Sequence, residues 1–130
     1  MSRPLTKKEK EVLSYFLSFP TRDAAYYREQ LNHAVVSSTC GCEECGSISL
    51  EIDRTAAQCA PGKDSFWLVR GDDNNGEDMM LDISNGWLCQ LEVTGPMPDR
   101  KNCIVCEYLS EDGSYELNPD AYSKPKNLVS

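Results

Sequence analysis

Seven cysteines are the side chains whose type and spacing most directly suggest chemistry. Cys40-Gly-Cys42-Glu-Glu-Cys45 forms one cluster and Cys103-Ile-Val-Cys106 a second, while Cys59 and Cys89 stand alone. Two Cys-x-x-Cys pairs present four thiolates that can close tetrahedrally on one zinc ion. Cys42, Cys45, Cys103 and Cys106 are therefore the candidate ligands of a single structural zinc. Gly41 and Gly46 flank the first pair with the permissive backbone that folding around a metal needs. Three features weigh the other way. The pairs lie 58 residues apart. Cys103–Cys106 falls in a segment that reads as a strand, where residues three apart point to opposite faces. Reduced cysteine is also a common buried small hydrophobe, and Cys89, in phase with an apolar strand face, is expected in the core. An odd count without a leader peptide argues against a disulfide framework and for a reducing compartment. Cys103-x-x-Cys106 also lacks the strand-to-helix placement that activates a redox thiol.

No other catalytic constellation stands out. His33, the single histidine, sits at an expected helix end, where histidine commonly meets the last carbonyls. There is no phosphate-cradling glycine loop, His-metal motif or nucleophile elbow, so the expected class is a binding protein without enzymatic activity. Charge is the stronger signal. Residues 1–39 carry six basic and four acidic side chains, while residues 40–130 carry seven and seventeen, giving +2 and -10. Two stretches contain acids with no base between them: Asp72, Asp73, Glu77, Asp78 and Asp82, then Glu107, Glu111, Asp112, Glu116 and Asp120. Such runs keep a surface solvated, and they can also steer a basic partner. Asp72, Asp73, Glu77, Asp78, Glu107, Glu111, Asp112 and Glu116 are the candidate partner-binding acids, with Tyr108 and Tyr115 as aromatic anchors. Asp72-x-Asn74-x-Gly76-x-Asp78 offers alternating oxygen ligands. It misses the glycine and glutamate phases of a calcium loop.

The elements that must position these groups can be read from periodicity. Thr6 and Glu9 form a capping box before a helix whose Val12, Leu13, Phe16 and Leu17 share a face. Pro20 closes that helix, and a second is expected from Thr21 to His33, packed back as a hairpin. From Ala34 the period falls to two. Ser47–Asp53 alternates Ile48, Leu50 and Ile52 against polar neighbours, and Ser65–Arg70 reads as a doubly buried strand that takes Trp67 into the core. Asp78–Ile83 and Trp87–Val93 form a hairpin. Pairing Ile83 with Trp87, Leu81 with Cys89 and Met79 with Leu91 keeps all six on one face, which predicts a three-residue Ser84-Asn85-Gly86 loop with a glycine bulge and puts Trp87 in the core. Cys103–Leu109 adds a further strand.

The expected fold is therefore α+β, two N-terminal helices followed by an antiparallel sheet of about four to five strands. One domain spans 1–130: a helical hairpin over 1–33, the sheet over 34–109 and a surface tail over 110–130. Acidity disfavours nucleic-acid binding, and no apolar run approaches a membrane span.

The stretch Arg28–Asp53, REQLNHAVVSSTCGCEECGSISLEID, resembles a helix, strand, Cys/Gly knuckle and second strand found in small bacterial proteins. SNGWLCQLEV is similar to a hairpin ending common among them. The whole profile resembles the immunity proteins of bacterial contact-dependent growth inhibition and polymorphic-toxin systems, which are cytosolic, single-domain, often acidic and non-catalytic. That likeness is one of type and assigns no residue roles. It implies a cytoplasmic protein that binds a cognate, basic toxin domain such as a nuclease and occludes its active site. No cofactor is needed for that role. The other reading is a small cysteine-rich protein built around one structural zinc.

Overall fold

Thr6 and Glu9 start the first helix as their spacing predicts. The Thr6 hydroxyl accepts from the Glu9 N–H at 3.1 Å, and the Glu9 carboxylate accepts from the Thr6 N–H at 2.9 Å. Arg3 clamps the same carboxylate with two bonds of 2.9 and 2.8 Å. The computed structural model describes residues 2–39 and 46–122. Its chain order is β1 (Arg3–Pro4), α1 (Lys7–Phe16), α2 (Ala24–Leu31), β2 (Ala34–Thr39), β3 (Ile48–Ile52), β4 (Ser65–Asp73), β5 (Asp78–Ser84), β6 (Trp87–Val93), β7 (Cys103–Leu109), β8 (Tyr115–Leu117) and α3 (Pro119–Tyr122). A 3₁₀ turn, Arg100–Asn102, leads into β7.

The strands form one antiparallel sheet in the order β1-β2-β3-β6-β5-β4-β7-β8. The α+β class holds, with eight strands where four to five were expected. The extra ones are short or late. β1 is two residues long, β2 has no clean alternation, and β8 lies in the segment read as a surface tail. Helix α2 is shorter than the expected Thr21–His33. It begins after Asp23, which takes a left-handed φ of 56°.

Both long helices lie on one face. Val12, Leu13 and Phe16 of α1 and Leu17 at its C-cap, with Tyr27 and Leu31 of α2, bury against Val69, Met79, Leu81, Ile83, Leu91, Val93 and Val105 of the sheet. Each fully buried side chain of this size contributes roughly 1.5–3 kcal/mol. Close approach is possible because Gly71 has no side chain: a Cβ there would sit 2.7 Å from the Ile104 carbonyl and 3.0 Å from the Phe16 ring. No helix among the described residues is long and apolar enough to cross a membrane.

The hairpin register differs from the expected one. Asn85 and Gly86, at φ 52° and 87°, make a two-residue turn of the I′ type, and Ser84 pairs with Trp87 and Ile83 with Leu88. Leu81 nevertheless faces Leu91, because Cys89 is an extra residue bulged out of β6. The apolar face is kept continuous by a bulge in the strand instead of one in the turn. Cys89 is consequently half-buried, not a core residue.

Candidate functional site

The sheet face opposite the helices is where chemistry-bearing side chains collect. Strands β2–β8 carry eight acidic residues, Glu51, Asp72, Asp73, Asp78, Asp82, Glu92, Glu107 and Glu116, and a single basic one, Arg70. The bases Lys7, Lys8, Lys10 and Arg28 sit on α1 and α2 instead. The charge asymmetry along the chain thus becomes one between two layers.

Arg70 is consumed locally. Its Nε donates to Glu107 at 3.0 Å, and its Nη1 lies 4.0 Å from Asp72. Asp72 stands directly opposite Asp78 in the β4–β5 ladder. Burial and then Asp78 push its carboxyl above the ordinary range. One strand over, Asp82 pairs with Gln90, which sets it diagonally across from Glu92. Burial, then the Glu92 carboxylate, raise Asp82 to about 7. Two carboxylates that close favour sharing a proton over ionising together. Beside them Trp67 and Tyr115 stack with centroids 4.0 Å apart and planes at 28°, and the Tyr115 hydroxyl donates to the Trp67 carbonyl at 2.8 Å. The arrangement has carboxylates that would welcome a cation and an aromatic pair that can take apolar contact. Comparison with protein-family profiles, curated proteins and solved structures returns no match.

The candidate partner-binding residues separate into groups. Asp72, Asp78, Glu107 and Tyr115 come together on this outer face. Asp73 and Glu77 shape the β4–β5 turn: Asp73 accepts from the N–H groups of Asn75 and Glu77 at 2.8 and 2.9 Å, and Glu77 accepts from the Thr94 hydroxyl at 2.6 Å. Glu111 and Asp112 lie in the β7–β8 turn at the opposite end of the sheet. Hydrogen bonds from Ser110 and Ser114 hold Asp112 down to about 2. Glu116 is exposed on β8, and the Ser114 hydroxyl donates to it at 3.2 Å. Tyr108 turns to the helix side, its ring 5.4 Å from that of Phe19. The two acidic stretches are therefore separate turns joined by an acidic strand surface.

Asp82, Glu92, Arg70 and Trp67 were absent from the expected partner-binding set. Alternation within β5 contained the signal for Asp82, since Met79, Leu81 and Ile83 point inward. Trp67, expected in the core, is turned outward because Leu68 is an extra residue in β4. Trp87 is also only partly buried, with the Arg54 guanidinium 4.6 Å from its ring centroid.

Of the zinc candidates, Cys42 and Cys45 lie outside the described residues. Cys103 is buried, its thiol donates to the Arg100 carbonyl at 3.3 Å, and burial pushes its pKa up. Cys106 is the extra residue of a bulge in β7, and its thiol reaches the Asp72 carboxylate at 3.5 Å on the outer face. No group of three or more candidate metal ligands occurs among the described residues. Cys59 donates to the Asn85 carbonyl at 3.1 Å, and His33 meets Glu29 at 3.1 Å.

Proposed function

We propose that this chain is an immunity protein that binds a cognate, basic bacterial toxin domain, a nuclease, and occludes its active site. The observation that carries the reading is the outer sheet face. Asp72, Asp78, Asp82, Glu92 and Glu107 share it, and the one base in strands β2–β8, Arg70, is already paired. A nuclease holds phosphates with clustered Lys and Arg, so such a face is complementary to the surface it must block. Steering of this kind raises association rates by ~10–10³ and weakens as salt rises. Trp67 and Tyr115 would supply the anchoring contact that slows dissociation.

The test uses the intact chain as bait under reducing conditions, followed by cloning of any stoichiometric basic partner. That partner should be toxic when expressed alone and harmless when co-expressed with the chain. Asp78→Lys combined with Asp82→Lys should slow association at least about tenfold at low salt. Unchanged neutralisation and unchanged association by the charge-reversed chain would sink the reading.

A further inference from the structure

Strands β3 and β6 are neighbours for only two residue pairs, Ile48 with Leu91 and Ser49 with Gln90. Beyond Ser49 they part, and a cleft of about 460 Å³ opens, walled by Leu50, Glu51 and Ile52 on one side and by Trp87 and Leu88 on the other. The cause is Gln30. This fully buried side chain of α2 accepts from the Leu88 N–H at 2.9 Å and donates to the Gly86 carbonyl at 2.9 Å. A side-chain amide thus stands where a β3 backbone would otherwise pair with β6.

The β3 wall is not treated in the same way. Asp53 donates its N–H to the His33 carbonyl at 3.0 Å, and β2 runs alongside β3 with Val35 opposite Glu51 and Ala34 opposite Ile52. Hydrogen-bonding direction alternates along an antiparallel strand. Glu51 and Asp53 therefore turn their backbone groups to β2, and Ile52 turns its own to the cleft. Leu50 and Ile52 are buried residues, while Glu51 is exposed between them. Asp53 spends its carboxylate on the N–H and hydroxyl of Thr55 at 3.0 and 2.6 Å. Arg54 lies over Trp87. The recognition chemistry left at the cleft is a strand edge and an exposed carboxylate.

We propose that this cleft is a strand-addition site for an extended segment of a partner protein that carries a basic side chain. The segment's main chain pairs with Ile52. Its Lys or Arg lies on the outer side, cross-strand from Glu51. The three residues Leu50–Ile52 offer ~10 Å of edge at 3.3 Å per residue, which matches a segment about three residues long. Two carboxylates against one guanidinium at the cleft favour a basic over an acidic segment. This inference does not depend on the outer acidic face, and it holds or fails separately.

The test is an amide NMR titration of the full chain with the peptide acetyl-Ser-Val-Lys-Val-Ser-amide at millimolar concentration. Shifts should be confined to Leu50–Arg54 and Trp87–Leu88, with contacts from peptide Hα protons to Ile52. Glu51→Lys, at an exposed position, should weaken that peptide at least fivefold, and replacing the peptide lysine by glutamate should restore binding to the variant. Shifts elsewhere, no shifts at all, or indifference to the Glu51 charge swap would each overturn the proposal.

Discussion

Asp82→Asn isolates what the outer face costs the fold. Asp82 titrates at about 7 against an ordinary value near 3.8. One pKa unit is worth ~1.4 kcal/mol, so the ceiling is roughly 4 kcal/mol. Asp82 is only partly buried, and solvent screening brings the expected effect to about 1–2 kcal/mol. The sign comes from proton binding. Folded Asp82 holds a proton that the unfolded chain gives up near pH 4, so the wild type loses stability as pH rises from about 4 to 7. Asparagine removes that loss while keeping the shape and a hydrogen-bond donor for Glu92. The variant should match the wild type at pH 4 and exceed it by about 1–2 kcal/mol at pH 8, or about 3–10 °C in Tm for a chain of this size. Urea unfolding of both proteins at the two pH values, followed by tryptophan fluorescence, measures it. Parallel stability curves would refute the shared-proton description of Asp82 and Glu92. A gain confined to high pH marks stability given up at a surface, the pattern expected where acids are retained for binding.

Two further perturbations probe how the framework is held. Gln30→Leu keeps the volume but strands the buried Leu88 N–H, and the Gly86 carbonyl then keeps only its bond from the Ala60 N–H; unfolding free energy should fall by about 2–4 kcal/mol in denaturant titrations, and a loss under about 0.5 kcal/mol would disprove the wedge role. Gly86→Ala should cost at least about 2 kcal/mol by the same measurement, because φ is 87° and its Cβ would meet the Ala60 carbonyl at 2.4 Å.

The shortest-range signals were legible in the sequence. The Thr6–Glu9 box needs only a few consecutive residues to satisfy two backbone donors, so its spacing already implies its geometry. The alternation of Ile48, Leu50 and Ile52 and the limits of β6 and β7 are likewise written in nearest neighbours, since one face of each strand must leave water. A turn around Asn85-Gly86 was legible for the same reason, but its two-residue form was not, because the bulge at Cys89 that reconciles it with the apolar face depends on pairing with β5. The layer separation of charge was half visible as a difference between the two ends of the chain.

What the tertiary structure decided is whatever depends on which strands meet. No periodicity says that β7 returns beside β4, and that pairing alone brings Glu107 to Arg70. Bulges at Leu68, Cys89 and Cys106 each add one residue and reverse the facing of the residues beyond it, so Trp67 and Cys89 left the core that their phase had promised. Such insertions cost little locally and are chosen by the partner strand, whose sequence lies elsewhere along the chain. Gln30 is the extreme case. Within α2 it is one polar residue among several, and it becomes a strand's hydrogen-bonding partner only once Gly86 and Leu88 are folded against it. The composition of each strand belonged to the sequence; the face, the cleft and the carboxylate pair belong to pairings between distant segments.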